Sequence, residues 1–364
     1  MRNTLNILST LLRIGQSLWL ENISREQLQS GSLIQYIKEG SITGASVSPA
    51  ACSRSLRSSE VYDNAIRKKL AEGLFGEPLA QELIMEDARH AADLLRPVFD
   101  RTDGVDGWVA LTIFPLSTND TAAITAAISN IHAKARRPNI LITIPGLPDW
   151  LEAIEEVIYS GVPVSIAFLV SCGQFLSAAQ ACLRGIERRV AAGLKPAGTS
   201  FASISISRLV EALSAELSND PFLPSGIAIA RRIYKASRDL HNSQEWERAY
   251  NAGSRPLRLV WTMDTNYQCK QFGASLIKDL VAPLTVAAIP ENTLKSIIGC
   301  NFLGTPLPAD GGDCEELLSR YSQLGIDLDT FAVRLQNEEA ASLISSWIEL
   351  LDAVACKSAL VTKC

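Results

Sequence analysis

Short apolar runs alternate along the chain with longer stretches whose apolar residues recur at helical spacing. The runs are Ser17–Glu21, Gly44–Ser48, Trp108–Phe114, Ile140–Ile144, Val162–Val170, Phe201–Ser207, Leu257–Met263 and Leu284–Ile289. Between them, Asp87–Leu95, Ala122–Ala135, Phe175–Ala192 and Leu209–Leu217 carry the pattern of amphipathic helices. Strands separated by helices build βαβ units and a parallel sheet. Eight such units predict an α/β fold of the closed (β/α)8 TIM-barrel type rather than an open sheet. The expected organisation is one domain over residues 1–364. Its barrel spans about 16–300, and a helical extension over about 300–355, containing Ala340–Ala353, packs outside the barrel. At the other end Leu5, Leu8 and Leu12 recur at helical spacing and predict a docking helix.

Such a barrel does its chemistry at the C-terminal ends of its strands, where side chains alternate between interior and exterior. The polar residues singled out on the runs or at their ends are Ser17, Glu21, Ser46, Ser48, Thr112, Thr143, Ser165, Ser203, Ser205, Ser207, Thr262 and Asp264. Ser203-Ile204-Ser205-Ile206-Ser207 is the clearest alternation, with its hydroxyls expected inside the barrel and its isoleucines against helices. None of the runs carries a lysine or a histidine. A Schiff-base mechanism needs a lysine in a partly desolvated pocket, and a metal mechanism needs a cluster of His, Asp or Glu.

Composition narrows the function classes. The 364 residues carry a formal charge of −5 and no basic stripe, which argues against a nucleic-acid partner. Three histidines and eight scattered cysteines, none in CxxC spacing, predict no metal, no cofactor and no disulfide framework. Val162–Val170 is too short to span a bilayer, and Arg13 interrupts the leucine-rich start, so neither a membrane segment nor a signal peptide is expected. The expectation is a cytoplasmic protein, a monomer or a homodimer, with a small-molecule substrate.

Several stretches carry a resemblance: QSLWLENISREQL, SITGASVSP, RPVFDRTDGVDGWVAL, RPNILITIPGLP, AIEEVIYSGVPVSIAFLVS, CLRGIERRVAAGL, SISISR, APLTVAAIPENTL and SSWIELLDAV. In these the chain resembles the transaldolase family, chiefly its longer bacterial and actinobacterial-type members, from Gln16 to about Leu351. The resemblance implies a class I aldolase-type barrel with extra helices at both ends. It also implies a Schiff-base lysine within I-K-I-P-G, where this chain reads Ile142-Thr143-Ile144-Pro145-Gly146. The implied acid/base glutamate falls at Thr112, and the asparagine of T-S-N-P falls at Ser48. The N-V-T of the fifth strand is Ser165-Ile166-Ala167, and the first-strand aspartate is Glu21. Ser203 and Arg208 match the implied substrate serine and phosphate-binding arginine; Ser205 stands for a phenylalanine and Met263 for a phosphate-site serine.

Without the lysine there is no imine to act as electron sink, and transaldolase activity is expected to be lost. The candidate catalytic residues are Glu21 and Asp264. The candidate substrate-binding residues are Ser48, Thr112, Thr143, Ser165, Ser203, Ser205 and Arg208. Cys52, Cys172 and Cys269 are placed in loops on the catalytic face and read as inert thiols. Lys270 is a possible substitute amine, read as a surface lysine, and His90, His132 and His241 are assigned no chemistry. The leading expectation is acid–base isomerase, cyclase or lyase chemistry on a larger, less polar substrate, phosphorylated or not, in specialised metabolism. The alternatives are a non-catalytic pseudoenzyme that binds a ligand or partner, and sugar-phosphate binding or aldol-type transfer with a relocated lysine.

Overall fold

The computed structural model describes residues 7–113, 120–196, 198–216, 226–263, 270–298 and 304–362; at 7, 9 and 270–274 it describes the backbone alone. The strands are β1 (Gln16–Leu20), β2 (Gly44–Val47), β3 (Val109–Leu111), β4 (Ile140–Pro145), β5 (Val164–Leu169), β6 (Phe201–Ile204), β7 (Arg258–Thr262) and β8 (Thr285–Ile289). They pair in parallel in chain order, and β8 pairs back with β1, so the sheet closes. This is the expected (β/α)8 barrel, and helices follow its strands.

Alternation along the strands separates two cores. One face of each strand packs its aliphatic residues against the helices. The other face fills the barrel with Trp19, Trp108, Ala110, Leu141, Phe201, Val260, Val286 and Ala288. The ring centroids of Trp19 and Phe201 are 4.9 Å apart, and those of Trp108 and Phe201 are 6.3 Å apart. Trp19 can reach across because its partner in register is Gly44, where a Cβ would lie 2.4 Å from the indole Nε1.

Below these rings, at the N-terminal ends of the strands, lies a buried charged group. The Arg258 guanidinium donates to Asp106 at 3.2 Å, to Ser17 Oγ at 2.8 Å, and to the carbonyls of Val105 at 2.8 Å and Thr285 at 3.2 Å. Ser17 Oγ in turn donates to Asp106 at 2.7 Å.

Several expectations are corrected. β6 stops at Ile204 because the Ser205 carbonyl accepts from Leu209 N at 3.0 Å and so starts the helix Ile206–Glu216. Ser207 and Arg208 are therefore helical. Ser48 lies beyond β2 and caps the helix Pro49–Ser58, accepting from Ala51 N at 3.4 Å, with Pro49 opening the helix. Cys52 is in that helix and Cys172 opens the helix Cys172–Ala191, so neither is in a loop. Burial pushes the Cys52 thiol up to about 12, and raises Cys172 as well. In the helix Ile7–Ile14 the buried leucines are Leu8 and Leu11, while Leu12 is exposed.

The C-terminal helix, Leu328–Val361, packs on the helices Pro49–Ser58, Asp63–Ala71 and Gly76–Arg101, and its Glu339 and Leu343 also reach the barrel mouth, a contact the sequence did not announce. Its Gln336 is 2% exposed and donates to the carbonyls of Gly146 at 2.9 Å and Phe168 at 3.1 Å, just after β4 and at the tip of β5. Gln174 donates to Gln336 Oε1 at 3.2 Å. Further along, Lys357 pairs with Asp63 at 3.0 Å.

His241 ends the helix Ile227–His241 and bonds the Leu257 carbonyl through Nε2 at 3.0 Å, beside Trp246 and Tyr250. Burial lowers its pKa to about 4 from the ordinary 6.5. The unfolded chain therefore takes up this proton first, and stability is lost as pH falls from about 6.5 toward 4. The loss is expected to approach about 3 kcal/mol. Asp87, pushed up to about 6 by burial, acts oppositely in that window, so wild type alone does not isolate the effect. The stability of His241→Phe in urea should rise relative to wild type as pH falls from 6.5 toward 4, because only the wild type carries the His241 loss; a difference between the two that does not change with pH would contradict the assignment.

Candidate functional site

All eight strands point residues into one cavity of about 170 Å³ at their C-terminal ends. Its floor is Trp19, Ala110, Val260 and Ala288, and its wall is a band of hydroxyls from Ser46, Thr112, Thr143, Ser165, Ser203 and Thr262. Thr143 and Ser165 are partners in register, and the Ser165 and Ser203 hydroxyls are 3.0 Å apart. Thr262 Oγ1 donates to the Ile204 carbonyl at 3.1 Å. Four of these hydroxyls follow from alternation: Thr112, Thr143, Ser203 and Thr262 lie two residues beyond the interior apolar residues Ala110, Leu141, Phe201 and Val260.

Glu21 follows β1 directly. Its N–H donates to the Ile289 carbonyl at 2.8 Å. Asn22, at φ 54°, donates its N–H to Ser46 Oγ at 2.9 Å, and Ile23 N–H donates to the Ser46 carbonyl at 2.9 Å. Ser46 thus anchors the turn that sets Glu21 in the cavity wall. Phe168 joins that wall through a register shift between Ile166 and Leu169, where its φ is 64°. For a bulky residue this left-handed backbone is strained, and the Gln336 bond to its carbonyl holds it.

The C-terminal helix closes the cavity with Glu339 and Leu343. Glu339 is 16% exposed and accepts from Ser205 Oγ at 3.1 Å and from Arg208 Nε at 3.2 Å. Arg208 also faces Glu338 at 3.6 Å and Glu211 at 3.7 Å. Arg208, which the resemblance implies as an anion-binding residue, thus already faces a carboxylate of the chain. A neighbouring cavity of about 250 Å³ shares Asn22, Phe168, Arg208, Glu339 and Leu343 with the first.

Of the residues singled out in the sequence, Glu21, Thr112, Thr143, Ser165, Ser203, Ser205 and Arg208 line the mouth cavity together. Ser48 lines only the neighbouring one. Asp264 and Cys269 lie outside the described residues, as does the Lys270 side chain. Glu339, Leu343 and Asn22 were not predicted. Nothing in the local sequence of a helix expected outside the barrel marks Glu339; the left-handed turns at Asn22 and Phe168 are equally invisible as sequence. Among the described residues, no group of three or more His, Cys, Asp or Glu is placed to hold a metal. No described helix is long and apolar enough to cross a membrane.

A parallel barrel with one polar cavity at the C-terminal ends of its strands belongs, by fold and placement of its cavity, with the barrel proteins that act on small molecules there. The family model for transaldolase/fructose-6-phosphate aldolase matches residues 18–354, and the chain belongs to that family. Its relatives include transaldolase 1 of Streptomyces avermitilis, 30% identical over 363 residues, covering 97% of this chain and 96% of that protein. The transaldolase of Thiobacillus denitrificans is 29% identical, covering 95% of this chain and 99% of that protein. Transaldolase 2 of Nostoc punctiforme is 29% identical, covering 96% and 97%.

Proposed function

We propose that this chain is a transaldolase-family barrel that binds a small molecule at its mouth and acts on it by acid–base chemistry, without forming an imine on β4. One observation carries the reading. The β4 side chain in the cavity wall is Thr143, and no described residue lining the cavity is a lysine. A threonine hydroxyl can orient a carbonyl but cannot condense with it, so no protonated imine is available to draw electrons from a breaking carbon–carbon bond. Glu21 is the proposed general acid or base, set among hydroxyls that orient the substrate. Proton transfer of this kind suits an isomerase, cyclase or lyase step.

The cavity's openness favours ligand binding over a filled scaffold. Trp19 and Phe168 line the cavity without closing it, and Met263 is buried away from its lining. At about 170 Å³ the cavity is close to the roughly 150 Å³ that holds one benzene ring. A substrate larger than that has to extend past Arg208 and Glu339 into the neighbouring cavity.

The test is a dihydroxyacetone transfer from fructose 6-phosphate to erythrose 4-phosphate, followed by borohydride reduction and peptide mapping. No transfer and no reduced adduct are expected. A stoichiometric adduct mapped to one lysine, Lys270 included, overturns the reading.

A further inference from the structure

We infer that Glu339 is a built-in counter-anion for Arg208, which makes the mouth cavity reject anionic groups and select a small, uncharged, hydroxyl-rich molecule. The inference rests on the mouth being the ligand site, as proposed above.

Arginine at a cavity wall recruits phosphate or carboxylate because its planar fork meets two oxygens at once. Here Glu339 meets Nε at 3.2 Å from one side, and the hydroxyl that would also face an incoming oxyanion, Ser205 Oγ, donates to Glu339 at 3.1 Å. Both donors are already turned toward one carboxylate. Glu339 is held less exposed than Arg208, at 16% against 33%, so it is the better sheltered of the two. The rest of the Arg208 surroundings is also acidic, with Glu338 at 3.6 Å and Glu211 at 3.7 Å. Glu21 adds a further carboxylate to the same cavity wall. Among the described residues lining the cavity, two carboxylates face one guanidinium, and an entering anion meets them as well as an occupied arginine.

Glu339 does not swing freely into this role. Gln336, one turn earlier on the same helix, is bonded to the Gly146 and Phe168 carbonyls, which fixes the helix across the mouth. What remains open to a ligand is the hydroxyl band of Thr112, Thr143, Ser165 and Ser203 over an apolar floor. Hydroxyls that donate and accept match an uncharged polyol or hydroxy-carbonyl compound.

The test compares glycerol with glycerol 3-phosphate, a neutral and an anionic probe on one carbon skeleton, by ligand-observed NMR on the full chain. Wild type is expected to show no glycerol 3-phosphate binding beyond that of glycerol. Glu339→Gln should gain glycerol 3-phosphate binding at least tenfold, and the gain should vanish in Glu339→Gln combined with Arg208→Gln. Near-UV circular dichroism checks folding, and Glu339→Ala supplies the same measurement should Glu339→Gln fail to fold. Wild type binding glycerol 3-phosphate as tightly as Glu339→Gln overturns the inference. So does a folded variant without the gain, or a gain that survives loss of Arg208. None of these outcomes bears on the lysine, which the borohydride experiment decides separately.

Discussion

Arg258→Ala is expected to destabilise the folded chain by roughly 3–5 kcal/mol, the range for removing one partner of a buried ion pair. The Arg258 side chain is 8% exposed and that of Asp106 11%, so deleting the guanidinium strands a carboxylate with little access to water. It also frees the carbonyls of Val105 and Thr285 and one of the bonds to Ser17. These partners lie on the loop before β3 and on β1 and β8, so one side chain ties the base of the barrel across its closure. Urea unfolding followed by far-UV circular dichroism measures the loss. Arg258→Met combined with Asp106→Asn should cost less than the two single changes added together, because neither charge is then left alone. A loss under about 1 kcal/mol for Arg258→Ala would show that water reaches Asp106 after all.

Arg258 and Arg208 show what separates a structural arginine from one at a site. Both were present in the sequence near the ends of predicted strands, and only Arg208 drew attention. Arg258 opens β7, at the end of the barrel away from the mouth, and the protein's own carbonyls and hydroxyl satisfy it. Arg208 stands at the mouth with its neighbours drawn from a helix far away in sequence. Strand period, apolar runs and intervening helices made the barrel legible, since each strand reports its two faces locally. The hydroxyl band was legible for the same reason: Thr143, Ser165 and Ser203 sit at interior positions of their strands.

The parts that escaped are those fixed by long-range docking. Glu339 reaches the cavity because Gln336 finds two carbonyls at the tips of β4 and β5, a match no local pattern reports. The end of β6 was misplaced for a local reason instead. Ser203 to Ser207 alternates as a strand should, but the Ser205 carbonyl takes a helical bond from Leu209 N, and that first helical turn overrides the period.

Thr143→Lys is expected to change the chain from one that forms no borohydride-trapped adduct with dihydroxyacetone to one that forms it in stoichiometric amount. Thr143 is buried on β4 and lines the cavity, so an amine in its place would stand over the hydroxyls of Ser165 and Ser203 with the apolar floor beneath. Burial favours the neutral, nucleophilic amine, whereas Glu21 and Glu339 in the same wall favour the charged one. Trapping should accordingly strengthen as pH rises through the range where that amine loses its proton. Turnover should still be absent, since the resemblance implies a glutamate at Thr112 and an asparagine at Ser48, and neither is present. Mapping the adduct to residue 143 separates it from slow modification of surface lysines. A folded variant that traps nothing there would mean that position 143 does not face the space where a carbonyl binds, and the proposed orientation of the substrate over β4 would fail with it.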